Sequence, residues 1–192
     1  MSMFKLIIKL ISILGISFLV SCDSVNSSSS NAKSYGLGVG SHFPELKLES
    51  NNNSKISTSS LKGSIVLVDF WASWCAPCRK ENKFLVKLYD KYKDAKFENG
   101  QGFKIFSVSL DGSGDPSNRD THYNLWNKAI QDDLLNWPYH VSDLKGWTSP
   151  LIDDYNIDAI PASYLINGDG EVLAKDLRGD ELERYLIKIL DI

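Results

Sequence analysis

Two cysteines separated by two residues are the part of this sequence best suited to chemistry. Cys75 and Cys78 enclose Ala76 and Pro77, and Trp74 comes directly before them. A thiolate can attack a disulfide to form a mixed disulfide, which a second nearby thiol can then resolve. Cysteines in Cys-x-x-Cys motifs have pKa values from about 3.5 to 7.5, against about 8.5 for a free cysteine. The spacing therefore predicts a redox-active pair that exchanges with disulfides and needs no added cofactor.

The same pair could instead form an inert disulfide or half of a metal site. A four-thiolate zinc site needs four cysteines, and the chain has three, with Cys22 far from the other two. The three histidines, at 42, 122 and 140, are scattered along the chain. We therefore expect redox chemistry and no metal ion.

The segments on either side of the pair predict how it is presented. Residues 64–70 form a short apolar, β-branched run, as expected for a central strand buried on both faces. Beyond the pair, apolar residues at 84, 85, 88 and 92 recur at helical spacing, so a helix is expected over 76–92. The first amides of that helix and its dipole favour an anion at Cys75. Pro77 fits the first helical turn, and Cys78 is expected to be the more buried thiol.

Further strands and helices alternate along the chain. A second strand is expected over 103–110, parallel to the first, and a short strand near 139–141. Residues 162–166 and 171–175, around the turn 167–170, predict an antiparallel hairpin. Asp120 and Asp180 are expected to cap two further helices. The order predicts an α/β protein with a mixed sheet.

Composition excludes several classes of function. The chain has 192 residues, a formal net charge of -3 and 43% hydrophobic residues. That length suits one domain, which we expect to be a monomer. The acidic balance offers no basic surface for nucleic acid, and the hydrophobic content is too high for a disordered chain.

The first residues are expected to direct the protein out of the cytoplasm. Lys5 and Lys9 accompany an apolar run over 10–20 that is shorter than the roughly 20 residues of a membrane-spanning helix. Residues 19–22 resemble the lipobox of bacterial lipoproteins, which implies a signal peptide over 1–21 and a lipid on Cys22; otherwise Cys22 is a spare thiol after an ordinary signal. The Ser/Asn-rich residues 22–36 are expected to form a flexible tether, and residues 37–192 a domain.

A family resemblance rests on residues 68–78, whose sequence is VDFWASWCAPC. This segment resembles the active-site strand and loop of thioredoxins. The long segment between the second strand and Pro161 is similar to the TlpA/ResA branch of extracytoplasmic thiol:disulfide oxidoreductases. The resemblance spans 37–192 and implies a thioredoxin-like fold: a mixed central β-sheet flanked by helices, with an inserted helical segment.

Within that family, Cys75 matches the exposed nucleophile and Cys78 the resolving thiol. Trp74 matches the flanking aromatic residue, and Ile160-Pro161 the cis-proline loop that faces the disulfide. The backbone beside Pro161 could pair with an extended substrate, with Trp74, Ala76 and Pro77 also contacting it. The alternative for Pro161 is an ordinary proline at the start of a strand.

Two carboxylates could move protons. Asp69 lies in the apolar strand, where thioredoxins carry a buried Asp, so burial should raise its pKa and let it accept the proton of Cys78. Many TlpA/ResA-type proteins have Asn there, so Asp69 is a departure towards thioredoxin. Glu81 matches the acid of the branch's Cys-x-x-Cys-basic-x-Glu pattern, although the helix dipole alone could favour an acid at this position.

Other residues receive plainer interpretations. Arg79 and Lys80 are expected only to solvate the helix. Trp126, Trp137 and Trp147 could line a partner groove, but aromatic residues in such a segment are more often core residues.

The resemblance also implies the setting of the reaction. The Ala-Pro dipeptide resembles that of reducing members, so we expect a reductant of extracytoplasmic protein disulfides, with apocytochrome c thiols among the candidate clients. A reductant there needs an electron donor, for which we expect a membrane thiol relay. The expected location is the periplasmic side of a membrane, held by the lipid on Cys22.

Two other functions occur on the same scaffold. A peroxiredoxin-type peroxidase would carry Pro-x-x-x-Thr-x-x-Cys, which is absent from this sequence. A copper-binding module would use Cys-x-x-x-Cys with a later His, whereas two residues separate these thiols.

Overall fold

The computed structural model describes residues 35–191. The signal peptide over 1–21, the lipid site at Cys22 and nearly all of the tether lie outside these residues. The described elements follow one another in this order: β1 (Lys47–Glu49), β2 (Lys55–Ser57), β3 (Ile65–Trp71), α1 (Ala76–Tyr92), β4 (Lys96–Phe97), β5 (Gly100–Gln101), β6 (Phe103–Ser109), α2 (Arg119–Asp132), β7 (His140–Val141), α3 (Leu151–Asp154), β8 (Ala162–Ile166), β9 (Val172–Lys175) and α4 (Gly179–Lys188).

The main sheet has five strands in the order β7-β6-β3-β8-β9. β6 runs parallel to both β3 and β7, whereas β8 is antiparallel to β3 and pairs with β9 as a hairpin. The mixed α/β sheet expected from the sequence is therefore confirmed. β3 is central and every one of its residues is buried, as its apolar run, interrupted only by Asp69, predicts.

The two faces of β3 contribute to two different hydrophobic clusters. Val66, Val68 and Phe70 pack into one cluster. Leu67 and Trp71 pack into the other, which also contains Cys75, Cys78 and the buried face of α1. Since side chains alternate along a strand, Asp69 lies on the same face as Leu67 and Trp71. The strand therefore places this carboxyl group on the side of the sheet that carries the Cys pair.

Both helix caps expected from the sequence are wrong. The N-cap of α2 is Asn118 and that of α4 is Arg178, so Asp120 and Asp180 lie inside the first helical turns. At α4 the reason is tertiary, because the carboxylate of Glu81 accepts a hydrogen bond from the backbone N–H of Gly179 at 2.7 Å. An acceptor from α1 thus does what a local cap would do.

Two short hairpins, β1–β2 and β4–β5, were not expected from the sequence. Their strands are only two or three residues long, which is too short for an alternating pattern to stand out. The tryptophans of the segment after β6 divide between core and surface: Trp126 and Trp137 are buried, whereas Trp147 is 47% exposed. Among residues 35–191, no helix is both long and apolar enough to cross a bilayer.

Candidate active site

Cys75 and Cys78 form a disulfide at the start of α1, with their Cα atoms 5.3 Å apart. Cys75 is the N-cap of the helix, and Pro77 lies in its first turn. The backbone N–H of Cys78 donates to Sγ of Cys75 at 3.3 Å. An amide without a helical partner therefore points at the sulfur that is expected to attack, where it would stabilise a thiolate.

The disulfide is less exposed than the sequence predicted. Cys75, expected as an exposed nucleophile, is only 4% exposed, against 1% for Cys78. The loop at Ile160 covers it, with the carbonyl oxygen of Ile160 3.8 Å from Sγ of Cys75. Trp74 is 54% exposed instead, and Ala76 and Pro77 are exposed as well. The surface around the sulfurs, more than the sulfurs themselves, faces solvent.

The peptide bond between Ile160 and Pro161 is cis, as the resemblance implied. Pro161 is buried, Ile160 is half-buried and Ala159 is exposed. Among residues 35–191, no hydrogen bond engages the backbone N–H of Ala159 or Ile160. The carbonyl oxygen of Pro161, in contrast, accepts a hydrogen bond from Nη2 of Arg178. The loop thus keeps two amide donors beside the disulfide, and Arg178 anchors its far end.

Asp69 is 4% exposed and lies on the face of β3 that packs into the cluster with the two cysteines. Burial, with a smaller contribution from the nearby carboxylate of Glu81, raises the pKa of Asp69 to about 7, although the guanidinium of Arg178 acts in the opposite direction. A carboxyl group with a pKa near neutrality can exchange a proton at physiological pH. The environment of Asp69 therefore suits the proton acceptor expected from the sequence.

Arg79 does more than solvate the helix, so that expectation is wrong. Its Nε and Nη2 donate to the two carboxylate oxygens of Asp133, with Nη2 at 2.8 Å from Oδ1. Its Nη1 donates to the carbonyl oxygen of Ser73 at 3.2 Å. The planar guanidinium can meet both partners because it presents its N–H groups as a fixed fork.

Ser73 has a second partner, Asp111. The backbone N–H of Ser73 donates to Oδ2 of Asp111 at 2.9 Å, and its hydroxyl donates to Oδ1. Asp111 is fully buried, and its Oδ2 also accepts from the hydroxyl of Ser109 at 2.6 Å.

Within the described part of the chain, no group of three or more His, Cys, Asp or Glu side chains is arranged to hold a metal ion.

Sequence reasoning missed Ser73, Asp111, Asp133 and Arg178. Asp111 carried a usable signal, because it follows a buried strand expected to run parallel to the strand that leads into the Cys pair. Carboxyl ends of neighbouring parallel strands meet at one edge of a sheet. Asp133 and Arg178 carried no such signal, since the contacts that define them come from elements far away in sequence.

Comparisons with known proteins show similarity to one family and to several oxidoreductases. The AhpC/TSA family model matches residues 39–175. Thiol-disulfide oxidoreductase ResA from Bacillus cereus is 31% identical over 156 residues, covering 80% of this chain and 79% of the relative. The ResA protein of Bacillus subtilis (strain 168) is 27% identical over 137 residues, covering 71% of this chain and 66% of the relative.

Solved structures share the fold. A thiol-disulfide oxidoreductase from Bacteroides fragilis NCTC 9343 matches with a TM-score of 0.64 and 30% identity, covering 77% of this chain and 98% of the other. The thioredoxin domain of a thiol-disulfide oxidoreductase from Bacteroides vulgatus matches with a TM-score of 0.65 and 32% identity, covering 80% and 98%. The fold is therefore thioredoxin-like.

Proposed function

Because this chain belongs to the AhpC/TSA family and is a thiol-disulfide oxidoreductase, we propose that it reduces disulfides of proteins outside the cytoplasm through Cys75 and Cys78. One observation carries the proposal: Sγ of Cys75 lies at the N-cap of α1, 3.3 Å from the amide nitrogen of Cys78. A thiolate at that position is stabilised and available near neutral pH.

The proposed reaction transfers two electrons from the Cys pair to the substrate. The thiolate of Cys75 attacks one sulfur of the substrate disulfide, the substrate S–S bond breaks, and the other substrate sulfur leaves as a thiolate. The thiol of Cys78 then loses its proton and attacks Sγ of Cys75. The mixed disulfide breaks, the second substrate sulfur leaves and takes up a proton, and the Cys75–Cys78 disulfide forms.

Asp69 is the proposed acceptor of the Cys78 proton. It lies on the face of β3 that packs into the cluster containing the two cysteines, and its pKa of about 7 allows it to take a proton during resolution and release it afterwards. Glu81 and Arg178 act on this step through Asp69, since their charges shift its pKa in opposite directions.

The substrate is proposed to bind as an extended segment beside Pro161. The amide N–H groups of Ala159 and Ile160 are available for strand-like pairing. Exposed Trp74, together with Ala76 and Pro77, would form the opposite wall of the site. This arrangement would place a substrate disulfide over the sulfur of Cys75.

The proposed setting follows from the sequence resemblance. A lipid on Cys22 would hold the domain at the periplasmic side of a membrane through the tether 22–36, with residues 37–192 acting as a monomer. A membrane thiol relay would return the disulfide to the dithiol. Proteins with extracytoplasmic disulfides, apocytochrome c among them, are the proposed clients.

Redox equilibrium with glutathione and insulin reduction by the 37–192 fragment test the proposal. A reductant should have a potential nearer the roughly -270 mV of thioredoxin than the roughly -120 mV of strong oxidants. Insulin reduction should disappear in Cys75→Ser, and unchanged activity in that variant would overturn the proposal. Rapid turnover of hydrogen peroxide in a parallel assay would favour a peroxidase instead. Mixed disulfides trapped in cells by Cys78→Ala would identify the clients.

A further inference from the structure

Ser73, two residues before the attacking cysteine, is held at all of its polar groups. Its N–H and hydroxyl both bind the buried carboxylate of Asp111, the N–H at 2.9 Å. Its carbonyl oxygen accepts from Nη1 of Arg79 at 3.2 Å. A loop residue that binds both a carboxylate and a guanidinium has little freedom to move, although it lies outside any strand or helix.

Asp111 and Arg79, which bind Ser73, are themselves held by hydrogen bonds to other residues. Asp111 also accepts from Ser109 at the end of β6. Arg79 binds Asp133 through two hydrogen bonds, and the side-chain amide of Asn82 donates to the same carboxylate at 2.7 Å. Because Asp133 is the residue after α2, the loop is tied at once to the sheet, to α1 and to the end of α2.

The loop is hydrogen-bonded to the backbone of Cys75. The N–H of Cys75 donates to the carbonyl oxygen of Ala72 at 3.1 Å, so the turn around Ser73 sets the backbone of the N-cap. In the oxidised protein the bond to Cys78 also holds this sulfur. Reduction removes that covalent link, and the sulfur is then placed by the backbone of the N-cap, by the N–H of Cys78 that donates to it, and by the contacts of the loop.

We propose that Ser73, Asp111, Arg79 and Asp133 form a clamp of positioning residues that holds Sγ of Cys75 against the first amides of α1 when the disulfide is open. The inference rests on the thiol-disulfide exchange proposed above and does not depend on the direction of electron flow. The clamp maintains the attacking sulfur as a stabilised thiolate through backbone geometry, without touching the substrate.

Charge-conserving variants separate positioning from simple electrostatics. Replacing Asp111 or Asp133 would change the charge near the thiol as well as the geometry. Ser73→Ala removes only the hydroxyl donor. Arg79→Lys keeps the positive charge but loses the planar guanidinium, and one ammonium group cannot donate to both Ser73 and Asp133 in the same way.

Ser59→Ala and Arg119→Lys are matched controls, because both residues make polar contacts at exposed sites away from the clamp.

The experiment measures the pKa of the Cys75 thiol in each reduced protein, from the pH dependence of the iodoacetamide alkylation rate and of thiolate absorbance. We expect Ser73→Ala and Arg79→Lys to raise this pKa by about half a unit or more, which lowers the alkylation rate below the pKa about threefold. Ser73→Thr, which keeps the hydroxyl, should restore the wild-type value, and both controls should match it.

A lower melting temperature with an unchanged thiol pKa in both variants would overturn the clamp and leave these residues a purely structural role. Should Ser73→Ala fail to fold, the comparison of Arg79→Lys with Arg119→Lys decides by itself. Failure of the proposed function is distinguishable: the wild-type protein would then not reduce insulin, whatever the variants do to the thiol. Wild-type activity with no pKa change in the variants would contradict the clamp alone.

Discussion

Oε1 of Glu81 accepts a hydrogen bond of 2.7 Å from the backbone N–H of Gly179, a residue 98 positions further along the chain. The contact places the Glu81 carboxylate at the N-terminus of α4, where a negative charge is favourable. The residue before Gly179 is Arg178, whose guanidinium reaches the cis-proline loop. The contacts of Glu81 and Arg178 therefore join α1, α4 and the cis-proline loop. The negative charge of Glu81 raises the pKa of Asp69, whereas the positive charge of Arg178 lowers it.

Asp69→Asn should slow the resolving step. Only the carboxylate form accepts a proton, so in the wild-type protein this step should slow as the pH falls through about 7. The rate of resolution plotted against pH should therefore have an inflection near pH 7. In Asp69→Asn we expect resolution to be about tenfold to a hundredfold slower at pH 8 and its pH profile to lose this inflection. Stopped-flow single turnovers at saturating substrate disulfide isolate the step. Asp94→Asn, at an exposed position, is the control, and an unchanged inflection in Asp69→Asn would exclude Asp69 as the acceptor.

The same substitution should stabilise the protein at alkaline pH. Because the folded-state pKa of Asp69 is raised, the folded protein binds more protons than the unfolded chain between about pH 4 and 7, and stability falls as the pH rises through that window. At pH 8 the buried carboxylate is charged and unfavourable, so Asp69→Asn should gain at least about 1 kcal/mol over the wild type. Urea denaturation at pH 5 and pH 8 checks that the gain is larger at pH 8.

His140 makes the free energy of unfolding depend on pH in the opposite direction from Asp69. The pH profile of the wild-type protein therefore contains both contributions. Burial lowers the pKa of His140 to about 4, so its contribution is present above pH 6.5 and is lost as the pH falls towards 4. The two residues partly cancel in the wild-type profile. Asp69→Asn should therefore show a clear loss of stability on acidification that the wild-type protein masks.

Glu81→Gln and Arg178→Gln should move the inflection of the resolving step in opposite directions. Removing the carboxylate of Glu81 lowers the pKa of Asp69, whereas removing the guanidinium of Arg178 raises it, each by about half a unit or more. Gln at 81 can still accept from Gly179, so the start of α4 is preserved.

Glu98→Gln and Arg184→Gln are controls for these two variants, because both residues are exposed. Shifts of the same sign in the two test variants would refute the assignment of these charges to Asp69.

Leu134→Gly should stabilise the protein. Leu134 follows the end of α2 with a φ of 58°, and its exposed fraction is 64%. The N–H groups of Leu134 and Leu135 donate to the carbonyls of Gln131 and Ile130, which is the Schellman arrangement that favours glycine at this position. Relief of the left-handed strain should contribute about 1 kcal/mol to the free energy of unfolding.

Leu125→Gly provides the matched control for that prediction. Leu125 is also exposed, at 50%, but it lies inside α2. Glycine in an exposed helix interior costs about 1 kcal/mol, so this variant should be destabilised. Thermal unfolding of both variants should give shifts of opposite sign, and a loss of stability at both sites would contradict the strain argument.

Local patterns in the sequence determined the main sheet and the position of the redox pair. The apolar run before the pair and the helical spacing after it predicted β3 and α1, and α1 spans Ala76–Tyr92 as expected. These predictions succeed because strand burial and helix periodicity are properties of neighbouring residues. The position of Cys75 at the N-cap of α1, on which its proposed attacking role rests, follows from the same local order, since it lies where a strand gives way to a helix.

Only the tertiary structure decided which groups control that pair. Arg79 was expected merely to solvate its helix, yet it binds Ser73 and Asp133, and the latter lies 54 residues away. The carboxylate of Glu81, in α1, accepts the hydrogen bond from Gly179 at the start of α4. No local pattern around Asp180 could have identified this acceptor. Hydrogen bonds between distant segments depend on how helices pack on the sheet, and a charged residue in a solvated helix has the same local sequence pattern as one that holds an active-site loop.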